Sequence, residues 1–141
     1  MRVMAIDYGD ARTGVAVSDE SATLAGEAWV IQERNQNAVA RIIASEAASR
    51  NARVIVVGYP KNMNGSVGPR AEKSELLAQL LRSLCDIEVV LWDERLTTMS
   101  AQRILSDTGR HGKKRKQTID AVAASLILES YIALQRNKSY V

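Results

Sequence analysis

Phenylalanine is absent from this 141-residue chain, and cysteine and histidine occur once each. A lone thiol, Cys85, rules out an intrachain disulfide, and its place in the apolar series Leu81, Leu84, Cys85 marks a small core residue. The one histidine, His111, has no serine or cysteine partner that would suggest an activated nucleophile, so Ser-His and Cys-His hydrolytic chemistry is set aside. Aromatic residues amount to 4%, and Trp29, Trp92 and the four tyrosines follow no base-stacking pattern. No apolar run approaches the roughly 18 residues of a membrane span. The opening Met1-Arg2-Val3-Met4 lacks the shape of a signal peptide. A cytoplasmic protein with no membrane partner is the expectation.

What is present is a chain with 46% hydrophobic residues, enough for one domain over residues 1–141 around a single core. Its net charge of +3 is unevenly spread. Residues 110–116 read Arg-His-Gly-Lys-Lys-Arg-Lys, holding five of the nineteen basic residues and no acid, which leaves the remainder net negative.

The apolar run over residues 2–8 reads as a strand buried on both faces and ended by Gly9. Residues 13–18 and about 23–32 make two further strands, joined by short polar turns and therefore antiparallel neighbours. Val39, Ile42, Ile43 and Ala47 then mark one face of a helix. A short strand, Val54 to Gly58, precedes a loop from Tyr59 to Pro69 that is rich in Gly, Asn and Pro. A second helix follows with Leu77, Leu80, Leu81 and Leu84 inward, and then a strand from Ile87 to Trp92. A third helix is expected from Thr97 or Thr98, and a last one from Thr118, with Ile119, Val122, Ala123, Leu126, Ile127 and Leu134 inward. The order predicts an α/β fold: a five-stranded mixed sheet, a three-strand antiparallel meander plus two parallel strands, flanked by helices.

Three sites in this pattern carry acids at element ends. Asp7 closes the first strand, where Gly9 would permit close backbone approach to a ligand. Asp93 and Glu94 stand together at a strand-to-helix junction, and only one of two successive strand residues can face a given side. Asp120 lies in the first turn of the last helix. Each has an ordinary explanation: a solvated strand end, a Glu94–Arg95 surface pair with Asp93 near a helix N-terminus, or favourable charge in a first turn. Together, on a central first strand crossed by the last helix, they could supply the hard oxygen ligands that Mg²⁺ or Mn²⁺ takes in a phosphodiesterase.

The residues also resemble a family, the YqgF (RuvX) proteins of the ribonuclease H-like superfamily, related to Holliday-junction resolvases. The likeness covers nearly the whole chain and rests on five pieces in order. They are Asp7-Tyr-Gly-Asp-Ala-Arg-Thr-Gly-Val-Ala-Val-Ser-Asp19, Val56-Val-Gly-Tyr-Pro-Lys-Asn-Met-Asn-Gly65, Gly68-Pro-Arg-Ala-Glu72, Asp93-Glu-Arg-Leu-Thr-Thr98, and Lys113-Lys-Arg-Lys116 followed by Asp120-Ala-Val-Ala-Ala124. The resemblance implies a ribonuclease H-like fold and a metal-dependent nuclease maturing the 5′ end of precursor 16S ribosomal RNA, within a pre-ribosomal particle. Resolution of branched, four-way DNA is the second activity it implies. By the family pattern Asp7, one of the acidic pair and Asp120 carry the site. Glu94 is preferred over Asp93 because its longer side chain could reach between strands about 5 Å apart. That reach matters because related resolvases carry their second acid at the end of the strand that here closes in Gly58-Tyr59-Pro60. Asn64, where many relatives have Asp, suits a Gly-containing turn.

The expected chemistry is in-line attack of water under two-metal activation, with Asp7 bridging two ions and Glu94 and Asp120 binding one each. Lys113, Lys114, Arg115 and Lys116 are expected to meet the phosphate backbone of structured RNA or branched DNA. Four such contacts to a duplex would give a slope of roughly −3.6 in log affinity against log salt. His111 would serve there as a phosphate contact. Arg12, Lys61, Arg70 and Arg95 are further candidates for phosphate contact. Two other readings compete. Actin-like ATPases and sugar kinases also open with a strand and an Asp-x-Gly loop, but they close two such domains around a nucleotide. A non-catalytic nucleic-acid-binding module would keep the fold and the basic segment while needing no metal.

Overall fold

The computed structural model of the chain describes residues 1–23, 25–96 and 112–139, the side chains of 96, 112–118 and 136–139 excepted. Strands β1 (Arg2–Asp7), β2 (Arg12–Ser18) and β3 (Ala25–Gln32) form the antiparallel meander, and β4 (Ala52–Tyr59) and β5 (Glu88–Asp93) add to β1 in parallel. The sheet order is β3-β2-β1-β4-β5, so β1 is central. Helix α1 (Gln36–Ser49) joins β3 to β4, and α2 (Pro69–Leu84) joins β4 to β5. A short 3₁₀ turn (Glu94–Leu96) follows β5, and α3 (Gly112–Ser139) ends the described chain. The α/β expectation and its mixed five-stranded sheet hold.

Local chemistry sets the helix starts. Asn35 caps α1 by accepting a hydrogen bond from the Ala38 amide at 2.9 Å. Pro69 opens α2, where its missing N–H costs nothing. The strand period of two divides the core into opposite faces. Met4, Ile6, Val15, Val17, Ile55 and Val57 pack under α1 and α2. Val3, Ala5, Ala16, Val54, Val56 and Trp92 meet Ala124, Ile127, Leu128, Tyr131 and Ile132 of α3. The Trp92 and Tyr131 rings meet edge to face, 5.7 Å between centroids.

Several details differ from the sequence reading. Ile42 and Leu84 are exposed, because the buried faces run through Val39, Ala40, Ile43 and Ala47 on α1 and through Leu77, Ala78 and Leu81 on α2. Cys85 is only partly buried, at the rim of the core. Helix α3 begins at Gly112, not near Thr118, so Lys113 to Lys116 are helical in backbone. Lysine and arginine are good helix formers, and a run of them does not break a helix. The buried stripe of α3 follows Ala124, Ile127, Leu128, Tyr131 and Ile132, while Leu134 is exposed. One helical turn before Ala124 on that stripe stands Asp120. The helix expected from Thr97 or Thr98, and His111, lie outside the described residues. Among the described residues no helix is long and apolar enough to cross a membrane.

Candidate active site

Asp7 ends β1 on the face that carries Val3 and Ala5, the face covered by α3. Both of its neighbours across the sheet are glycines. On β2 its cross-strand partner is Gly14. On β4, Ile6 pairs with Val57, which puts Gly58 beside Asp7. Each glycine admits another acid. A Cβ on Gly14 would collide with the backbone carbonyl of Asp120, so α3 lies directly on β2 at this point. A Cβ on Gly58 would meet the Glu94 side chain and the tip of Ile127. Three acids from β1, the turn after β5, and α3 thus converge at the carboxyl end of the parallel strands, where open α/β sheets place their ligands.

The electrostatics follow from this crowding. Burial holds the Asp7 carboxyl well above the usual carboxylate range, and the charge of Glu94, a hydrogen bond shared with Glu94, and the charge of Asp120 push it further. Glu94 is raised by burial, against the hydrogen bond from Asp7 and the charge of Arg70. Asp120 is raised by burial and drawn back by Arg12, whose Nε donates to Asp120 Oδ2 at 3.2 Å. Arg70, in the first turn of α2, lowers all three acids by its charge.

The acidic pair is divided by the strand period and by Arg95. Asp93 grips Arg95, its Oδ2 accepting from Nη2 at 2.6 Å and from Nε at 2.9 Å, and this lowers its pKa. The surface pair is therefore Asp93–Arg95, and Glu94 turns to Asp7. Arg95 Nη1 also reaches the Met63 carbonyl. Arg12 and Arg95, nominated as phosphate contacts, thus have carboxylate partners. Lys61 lies over the Tyr59 ring at 5.5 Å, and Arg70 is exposed beside the acids. The side chains of Lys113, Lys114, Arg115 and Lys116 lie outside the described residues. Gly9 has a local reason: a Cβ there would strike the Arg12 carbonyl within the β1–β2 turn, so the close approach is to the chain itself. Asn64 accepts from the Ser66 amide, as its turn position suggests.

Sequence reasoning missed the tie between Arg12 and Asp120 and the use of Gly14. A glycine inside the apolar strand Thr13 to Val17 was the available signal, since strand glycines mark close approaches. Among the described residues, no three His, Cys, Asp or Glu side chains are arranged as a metal cage. The donor set nevertheless fits a hard divalent cation in chemistry: three carboxylates, two sharing a hydrogen bond in a site that resists their ionisation. Asp120 would have to exchange Arg12 for the ion.

A family model described as "RuvX: Holliday junction resolvase" matches residues 1–134. A protein of Halothermothrix orenii named "Putative pre-16S rRNA nuclease" is 43% identical over 135 residues, covering 96% of each chain. One of the same name from a Geobacillus species is 47% identical over 137 residues, covering 94% of this chain and 97% of the relative. Among solved structures, Thermus thermophilus RuvC in complex with a Holliday junction substrate superposes with a TM-score of 0.61, covering 94% of this chain and 96% of that one. At 10% identity that likeness bears on the fold, which is ribonuclease H-like.

Proposed function

Because the chain belongs to the RuvX family, we propose that it is a metal-dependent nuclease that hydrolyses phosphodiesters of structured RNA, acting at the 5′ end of precursor 16S ribosomal RNA. The observation that carries this reading is the meeting of Asp7 with Glu94 beside Asp120, from three elements far apart in sequence. The substrate is supported by the names of relatives at 43% and 47% identity over nearly the whole chain.

Asp7, Glu94 and Asp120 would hold Mg²⁺ or Mn²⁺, which when bound supplies a Lewis acid for the phosphate and activates the attacking water. The protein's own part is to gather the carboxylates and orient the substrate. Asp7 is central to the set: it shares a hydrogen bond with Glu94 and feels the charge of Asp120, so it would be a ligand to any ion the three acids hold. Arg70 stands near all three acids and is exposed, a position suited to receiving a phosphate oxygen as the chain backbone approaches. Arg12 holds Asp120 against β2. The basic segment of α3, Lys113 to Lys116, lies up to two turns before Asp120 on the same helix, which supports its use on the flanking phosphates.

A cleavage assay with Mn²⁺, offering precursor 16S RNA and a synthetic four-way DNA junction side by side, tests the reading. Cleavage of the RNA at its 5′ side, lost in Asp7→Asn, is the expected result. Cleavage of the junction alone would move the substrate to branched DNA, the activity in the family model's description. Binding of nucleic acid with no cleavage and no Mn²⁺ uptake would make the chain a binding module.

A further inference from the structure

The most exposed large apolar side chain among the described residues is Met63, at 83%, on the loop between β4 and α2. Val67, 42% exposed, lies on the same loop. Single exposed apolar residues are ordinary on a protein surface. What distinguishes this one is how firmly the backbone beneath it is held. The Asn62 amide donates to the Ser66 carbonyl at 2.9 Å, and the Gly65 amide returns to the Asn62 carbonyl at 2.8 Å. Asn62 Nδ2 donates to Ser66 Oγ, and Asn64 Oδ1 accepts from both the amide and the hydroxyl of Ser66. Gly65, at φ 87°, takes the left-handed turn that closes the loop.

The loop is also tied to the acid site. Arg95 follows Glu94 in the chain, is clamped by Asp93, and donates from Nη1 to the Met63 carbonyl at 3.4 Å. The residue that anchors the Met63 backbone is therefore the immediate neighbour of an acid that hydrogen-bonds Asp7. In the chain, Lys61 precedes Met63 by two residues and Arg70 follows Val67 by three, so cations bracket the apolar residues of the loop. Fixed apolar side chains between cations suit a nucleic acid that offers phosphates outside and base faces within.

We infer that the loop over residues 60–68 reads the shape of the substrate, with Met63 inserting against unstacked bases at a helix end or branch while Asp93 and Arg95 act as positioning residues. This rests on the nuclease reading above and deepens it. A flexible, polarizable thioether tolerates any base face, so the contact selects distorted geometry and not sequence. Continuous duplex, whose bases stay stacked, gains nothing from Met63.

The test uses the full chain without divalent metal, so that binding is read apart from cleavage. The probes are an RNA hairpin with 2-aminopurine at the stem–loop boundary and a continuous RNA duplex with the same base inside. Wild-type protein is expected to raise the emission of the hairpin and not of the duplex. Met63→Ala should abolish the rise and weaken hairpin binding by about tenfold, the scale of one stacking contact. Melting temperature and Mn²⁺ affinity should stay unchanged, and Met63→Leu should restore the signal. Arg95→Gln should lose emission as well, and in the Met63→Ala background it should add no further loss. An unchanged emission rise in Met63→Ala overturns the inference while leaving a cleaving enzyme intact. A rise that depends on Met63 in a chain that never cleaves sinks the nuclease reading and keeps the loop's role. Failure to bind either RNA overturns both.

Discussion

A Cβ on Gly58 would stand 2.8 Å from Glu94 Cδ, so the missing side chain of one strand is the space in which the next strand's carboxylate lies. The acid in the turn after β5 reaches Asp7 because Gly58, next to last in β4, puts nothing in the way.

Gly58→Ala is therefore expected to push Glu94 and Ile127 apart. Overpacking of this kind costs about 1–3 kcal/mol, and cleavage should fall further than stability alone explains, because Glu94 is displaced from Asp7. Chemical denaturation and single-turnover cleavage on the same samples separate the two effects. Unaltered cleavage in a folded Gly58→Ala variant would show that Glu94 needs no such room.

Asp7→Asn should lower cleavage by at least about a hundredfold, the scale of losing one preorganised charge contact. The same change should stabilise the metal-free protein at neutral pH. The folded state holds the Asp7 proton more tightly than the unfolded chain, so stability falls as pH rises from the ordinary value of 3.8 through the raised one. Melting temperature against pH, measured with chelator, should slope downward over that window in the wild type and less steeply in the variant, where Glu94 and Asp120 are still raised by burial. Equal slopes would mean that Asp7 is not the strained group.

Arg12→Gln removes the cation that holds Asp120. Mn²⁺ should then bind about fivefold tighter, since a partly exposed ion pair contributes up to about 1 kcal/mol and no longer competes. Isothermal titration reads this without any substrate. Weaker Mn²⁺ binding would instead make Arg12 a support for Asp120's pose.

Replacing Lys113, Lys114, Arg115 and Lys116 together by Gln should reduce the salt slope of duplex binding by roughly 3.6 if all four meet phosphates. Affinity measured across a salt series checks this. A slope that does not move would place the nucleic acid elsewhere.

Asp7 was legible from the sequence because a run of apolar residues ending in an acid needs only the strand period to be read. The order of strands, and so the central place of β1, followed from short turns in the first third and helices thereafter. These features depend on neighbours a few residues apart. The identity of the second acid did not, since Asp93 and Glu94 are adjacent and chemically alike. Arg95 claimed Asp93 and Gly58 admitted Glu94, and the Gly58 half of that arrangement comes from a different strand.

The orientation of α3 was decided in the same way. Periodicity alone put Ile119 at the head of the buried stripe. Packing against Gly14, with Ala124 and Ile127 seated on the sheet, set Asp120 against β2, where its charge acts on Asp7. The sequence by itself determined that acids would stand at the ends of core elements. Which of them meet was left to tertiary packing, because a side chain's direction on a helix or turn is set by what the rest of the chain leaves room for.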